Sequence, residues 1–332
     1  MNKNEIIQTI QEFSFSVIEE SIEPSKAEKY IKNIHTYFQQ ITEITGFENK
    51  IDYLAAIPAA QGKALGLNHA AQCLLDYNRT VLFVKGIVQA IRKKQQQFPN
   101  TTIQVFYAGC GPYATLLTLV APLFTSAEVQ FTLLEINKNS VDAAKKLITA
   151  MELTNHVSDF YLADAVTFKI PQPEKFHVLI SETLDAVLYR ECYVPILFNL
   201  LPQLNKDVVV IPENVLIDVF ALSNSKDESS LLELNLGTIV NVKAASTKYM
   251  NNKERIKQLE EFKISFKTLD KEHQKTLLID TKVHIHESIW LKRNQSSLTL
   301  PLKINLDYSL PHQSMVFTYF LEPEVELRCS YQ

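Results

Sequence analysis

Gly109 and Gly111 stand one residue apart in Val105-Phe106-Tyr107-Ala108-Gly109-Cys110-Gly111-Pro112, in a chain with only 7 glycines among 332 residues. That is roughly 2% where ~7% is usual, so this pair is unlike filler. An apolar run, Ile103 to Phe106, leads into the glycines, and an apolar stretch at helical spacing, Ala114 to Phe124, follows them. The pattern predicts a buried strand that turns sharply into a helix. Backbone without side chains there lets a ligand come close, and the unpaired N–H groups of the helix start face it. A tight turn with no ligand uses the same residues.

With 46% apolar content the chain can bury a sizeable core, and its length suggests two domains. The formal charge, 33 − 37 = −4, implies no broad basic face, so nucleic acid is not the expected partner. No apolar run reaches the ~20 residues of a membrane helix. The cysteines at 73, 110, 192 and 329 have no paired spacing for zinc and no apolar leader ahead of them. They read as reduced thiols, which makes the expected compartment the cytoplasm and the expected number of metal sites none.

Three zones follow one another. Residues 1–95 carry apolar positions at three-to-four spacing, as in Ile6, Ile10, Phe13 and Val17, and form a helical N-terminal region. Residues 96–212 alternate strands with helices: strand 103–107, helix 113–123, strand 129–135, helix 139–151, strands 157–162 and 176–181, helix 189–203. That rhythm predicts a doubly wound α/β domain around a parallel sheet. Residues 213–332 are β-rich, at 215–222, 281–290, 298–308 and 315–327, and should form an antiparallel sandwich or barrel. A charged helix is expected at 252–263. Its segment Asn252 to Glu261 is either a solvated surface helix or a reduced arm for a homodimer.

Acidic residues recur where the sheet strands end. Glu135 closes the second strand, where a carboxylate can accept hydrogen bonds from both ribose hydroxyls; Asp164 closes the third and Glu182 the fourth. In an open α/β sheet that edge binds ligands. Dinucleotide folds and S-adenosylmethionine folds both use such a carboxylate, and Ala114, three residues after Gly111, is tolerated in the dinucleotide fingerprint. A nicotinamide cofactor therefore remains an alternative at this point.

The loop Ser181-Glu182-Thr183-Leu184-Asp185-Ala186-Val187-Leu188-Tyr189-Arg190-Glu191 narrows the choice. Two glutamates on one hairpin-like loop repel unless a cation or a proton lies between them, so the loop either binds a positive group or raises one pKa. A planar, forked guanidinium fits. Upstream stands Asp76-Tyr77-Asn78-Arg79-Thr80, and downstream Val210-Ile211-Pro212-Glu213-Asn214. In this order the motifs resemble those of class I S-adenosylmethionine-dependent methyltransferases, and more specifically the protein arginine methyltransferase family, over roughly residues 70–222. The resemblance implies a seven-stranded-type Rossmann-like sheet followed by a β-barrel, with S-adenosyl-L-methionine as cofactor. It also implies that Arg79 grips the cofactor carboxylate, Gly109 and Gly111 the methionyl backbone, Glu135 the ribose and Asp164 the adenine amino group. Glu182 and Glu191 would then be catalytic, holding the nitrogen that receives the methyl group.

The chain departs from that family in several places. Tyr107-Ala108 precede Gly109 where the family carries an acidic residue, and Tyr113 stands where it often has another glycine. There is no Thr-His-Trp loop. Its nearest counterparts, His284, His286 and Trp290, sit on a strand and form either a polar barrel surface or a rebuilt pocket wall. His69 is expected to be a packed helix residue. The N-terminal helices have no family equivalent, and the C-terminal region is shorter. The expected activity is methyl transfer to a cationic nitrogen of a protein, peptide or small molecule. Transfer to oxygen or carbon of a small metabolite, and cofactor binding without catalysis, are the alternatives.

Overall fold

The computed structural model describes residues 3–19, 22–224, 231–250 and 256–332. Runs rich in Val, Ile, Phe and Leu form five parallel strands: β1 (Ile103–Ala108), β2 (Val129–Glu135), β3 (Val157–Leu162), β4 (Val178–Ser181) and β5 (Val209–Ile211). They lie side by side as β3-β2-β1-β4-β5. The chain thus builds outward from β1 in one direction and then in the other. The order reverses between β1 and β4, and the crevice beyond their carboxyl ends is where such a sheet takes a ligand. β1 and β4 are buried on both faces save for Gln104, as expected of strands with helices on either side.

Two helices deserve their positions in the sequence. Lys138–Ala150 starts at Asn137, whose side-chain oxygen accepts from the amides of Asn139 (2.9 Å) and Ser140 (3.4 Å). Tyr77–Gln97 starts at Asp76, whose Oδ1 accepts from the Arg79 amide (3.4 Å). The other oxygen of Asp76 accepts from Ser296 Oγ (2.6 Å), Ser297 N (2.9 Å) and Ser297 Oγ (2.8 Å), tying the start of this helix to the C-terminal region. Asp76→Ala should therefore cost more than a lost cap. About 1 kcal/mol goes with the cap and about 1–2 kcal/mol with the bonds to a charged acceptor. Denaturant unfolding reads the sum, and a loss below about 0.5 kcal/mol would show that the clamp does not hold the helix.

At the N-terminus, Lys3–Ile18 and Pro24–Thr42 bury Ile6, Ile10, Phe13, Ile31, Ile34 and Phe38 against the sheet domain. Ser14 Oγ donates to Leu119 O (2.8 Å), and Tyr113 OH donates to Ile44 O (2.6 Å). Tyr113 thus anchors this helical layer to the glycine turn. Among the described residues no helix is long and apolar enough to cross a membrane.

Beyond β5 the parallel sheet ends. Pro212 follows β5 at once and has no N–H for a further ladder bond, and the β-rich region expected from residue 213 begins there. The chain instead enters two antiparallel sheets. One holds β6 (Asn214–Asn224), β7 (Leu231–Asn241), β9 (Gln274–His286), β10 (Ile289–Leu291) and β11 (Leu302–Asn305); the other holds β8 (Phe262–Ser265), β12 (Ser314–Phe320) and β13 (Glu326–Tyr331). The helix expected at 252–263 is not found over the described part of that range. Residues 252–255 lie outside the described residues, and the chain after them is extended, with Leu259 N bonded to Tyr319 O (2.9 Å). The helix is Val242–Tyr249 instead, capped by Asn241. Charge spacing misplaced it because the cap lies upstream of the charged run.

Candidate functional site

The glycine turn follows β1 with Gly109 at φ +76° and Gly111 at φ +66°, a region that side chains rarely adopt. A Cβ on Gly109 would lie 2.4 Å from Thr183 Cγ2, so this glycine lets the turn pack against the loop after β4. A Cβ on Gly111 would meet nothing within 4 Å. Its backbone faces an open space, and that space is the cavity at the reversal point of the sheet. Arg79, Gly109, Gly111, Glu135, Asp164, Glu182 and Glu191, drawn from five separate stretches of sequence, all line it.

Each strand end delivers its acid. Glu135 Oε2 accepts from Gly111 N (2.8 Å) and Oε1 from Asn137 N (2.9 Å), which fixes the carboxylate beside the turn. Burial raises its pKa, and these amides pull the other way. Asp164 Oδ1 accepts from Val166 N (2.8 Å), and Oδ2 accepts from Ala60 N (2.6 Å).

The loop from Glu182 to Glu191 is held in an unusual shape. Val187 and Leu188 have φ of 55° and 54°. Each costs about 1–2 kcal/mol, and one distant and one local bond hold them: Val187 N donates to Thr281 Oγ1 of β9 (3.0 Å) and Leu188 N to Asp185 O (3.2 Å). Asp185 Oδ2 closes the loop by accepting from the amides of Arg190 (2.8 Å) and Glu191 (3.4 Å). Helix 189–203 of the sequence reading consequently begins only at Tyr193.

Three acids now meet with one buried cation. Arg79 donates from Nη2 to Glu182 Oε2, yet Glu182 Oε1, Asp185 Oδ1 and Glu191 Oε1 are buried and have no hydrogen-bond partner. Such orphaned oxygens are costly in a finished fold, and a ligand with several donors satisfies them. Burial pushes Glu191 well above the usual carboxyl range, Asp185 and Glu182 add to the shift, and Arg79 offsets part of it. Burial also raises Glu182, against the pull of Arg79 directly beside it. Glu191 is therefore the acid that keeps its proton longer.

Other residues fall in places the sequence did not mark. Ile57–Pro58 pairs with Lys63–Ala64 in a two-stranded hairpin within the helical N-terminal zone, and Ala59, Lys63 and Ala64 line the cavity. Pro58 and Gly62 were the available turn signal. Cys73, Cys110 and Cys192 also line it. Burial pushes Cys73 up to about 11 and Cys192 up to about 12, so both are neutral thiols and poor nucleophiles.

His284, His286 and Trp290 are not among the lining residues. Both histidines turn to Glu213, His286 Nδ1 at 2.7 Å and His284 Nδ1 at 3.7 Å, while His284 stacks on Trp290 with centroids 4.1 Å apart. His69 lies on the helix Leu67–Gln72 but is exposed, where packing was expected.

No protein-family model matches the chain, and no curated protein matches it. A similar solved structure is the Trypanosoma brucei PRMT1 enzyme–prozyme heterotetrameric complex with AdoHcy. The two are 12% identical over 79% of this chain and 92% of that one, with a TM-score of 0.49.

Proposed function

We propose that the chain transfers a methyl group from S-adenosyl-L-methionine to a cationic nitrogen, a guanidinium or an amine. One observation carries this reading. Glu182 and Glu191 line the same cavity as the glycine turn, Glu135 and Asp164, and each keeps a buried oxygen without a partner.

The residues present fit the cofactor. Gly111 offers bare backbone to the cavity, and Glu135 and Asp164 each have lone pairs to spare beyond the amides they accept. Arg79 has five N–H donors, enough to keep Glu182 and also meet a carboxylate. When bound, the cofactor supplies a methyl group on a sulfonium.

The chain's own contribution is orientation and proton handling. Two carboxylates accepting from one forked cation fix the attacking nitrogen along a single direction, and alignment at about 3–3.5 Å provides most of the acceleration. Arrival of a cation lowers the proton affinity of Glu191, so binding expels the proton that burial had kept there. As the nitrogen takes the methyl group it gives up one N–H proton. Glu191, the better proton holder of the two, receives it.

Methyl-labelled cofactor incubated with the protein and fractionated cell extract tests this. Label should appear on nitrogen of a basic acceptor. Label on oxygen or carbon, or tight binding of S-adenosylhomocysteine with no transfer to any fraction, would refute it.

A further inference from the structure

The hairpin at residues 57–64 is fixed to three parts of the molecule. Ala60 N reaches Asp164 Oδ2 beyond β3 (2.6 Å), Lys63 N donates to Arg190 O in the double-acid loop (3.2 Å), and Gln61 Nε2 meets Glu322 Oε1 of the C-terminal region (3.4 Å). At Gly62 a Cβ would stand 3.0 Å from Arg190 O and 3.1 Å from Val325 Cγ2, so the hairpin presses onto both. Its backbone also runs parallel beside the loop, in a single β-bridge that sets Lys63 opposite Glu191. An extended peptide laid along this loop would need the Arg190 carbonyl that Lys63 already takes. The cover therefore favours an acceptor short enough to enter without pairing as a strand.

The cover also carries a charge. Lys63 lines the cavity with its side chain 45% exposed, and its nearest ion-pair partner, Glu324 Oε1, stands at 4.0 Å, the outer limit of such a pair. Glu182 and Glu191, with their orphaned oxygens, and Lys63 thus line one and the same cavity. A polybasic acceptor is repelled by that ammonium, whereas an acceptor with a carboxylate at its far end is held by it.

We propose that the acceptor is a small zwitterion, with a guanidino or amino group between Glu182 and Glu191 and a carboxylate on Lys63. This rests on the cationic-nitrogen reading above. A partly exposed ion pair of about 1 kcal/mol corresponds to about fivefold in affinity.

Calorimetric titration of the protein saturated with S-adenosylhomocysteine tests it, using 4-guanidinobutyrate, butylguanidine and agmatine as probes. The acid should bind about fivefold more tightly than butylguanidine, and agmatine, with a second positive charge, most weakly. Lys63→Gln should remove the preference for the acid and leave the affinity for S-adenosylhomocysteine unchanged, and Lys63→Glu should turn the preference toward agmatine. Equal affinity for all three probes, or a preference that survives Lys63→Gln, overturns the zwitterion alone. Weaker S-adenosylhomocysteine binding in Lys63→Gln overturns it too, because the lysine would then serve the cofactor. Failure of every guanidine to bind a protein that does bind S-adenosylhomocysteine overturns the cationic-nitrogen reading and this inference with it.

Discussion

Glu191→Gln should lower turnover by about 10²–10³-fold while raising the stability of the ligand-free protein. The two effects share a cause. Glu191 is buried beside Asp185 and Glu182 with an unpartnered oxygen, and its pKa in the fold lies well above that of an ordinary carboxyl. Because the folded chain binds this proton more tightly than the unfolded chain, stability falls as pH rises. Below the ordinary carboxyl pKa, about 4.3, there is no penalty; it grows through the interval up to the folded value and is complete above it. Glutamine removes that penalty. The thermal midpoint at neutral pH should rise by about 2–4 °C, and the gain should vanish toward pH 4. Differential scanning calorimetry across pH measures this. A midpoint that falls at neutral pH, or a gain independent of pH, would mean that Glu191 is not a strained acid waiting for a cation.

Gly109→Ala should cost about 2–5 kcal/mol, combining about 1–2 kcal/mol for a left-handed φ with about 1–3 kcal/mol for overpacking. The overlap is specific, since the new methyl would lie 2.4 Å from Thr183 Cγ2. Adding Thr183→Ala to Gly109→Ala should recover the packing part and leave the backbone part, a coupling that a double-mutant cycle reads directly. Gly111→Ala should show the opposite balance. Its Cβ meets no atom within 4 Å, so stability falls only by the backbone cost, but the methyl enters the cavity and S-adenosylhomocysteine affinity drops. Equal effects of the two alanines on unfolding and on binding would contradict the different roles of the two glycines.

Much of the sheet was legible because its strands are short apolar runs punctuated by turn residues. Val129–Glu135 and Val157–Leu162 match the expected ranges to the residue, and Ile103–Ala108 runs one residue further. The acids at strand ends were legible for the same reason: once a strand is placed in a parallel sheet, its last residue is placed at the ligand edge. What escaped had no local signature. Val187 is β-branched and gives no hint of a positive φ; only its bond to Thr281, far along the chain, holds it there. The pairing of Arg79 with Glu182 spans 103 positions and comes from the fold, not from either motif. A hairpin with two residues per strand is too short for any periodicity, so residues 57–64 were hidden inside a helical zone. Asp185 was in plain view between the two glutamates, yet its closing of the loop depends on backbone amides that only coordinates reveal. Tyr113 gave no sign of its role either: its hydroxyl donates to Ile44 O and fastens the N-terminal helical layer to the glycine turn.

The most direct measurement is a crystal structure of the protein with S-adenosylhomocysteine and a simple alkylguanidine. The expected result is one guanidinium whose N–H groups lie about 2.7–3.2 Å from Glu182 Oε1 and Glu191 Oε1, the oxygens that have no partner in the free chain. A guanidinium bonded to neither glutamate, with the two side chains turned to different surroundings, would contradict the proposed role of the loop.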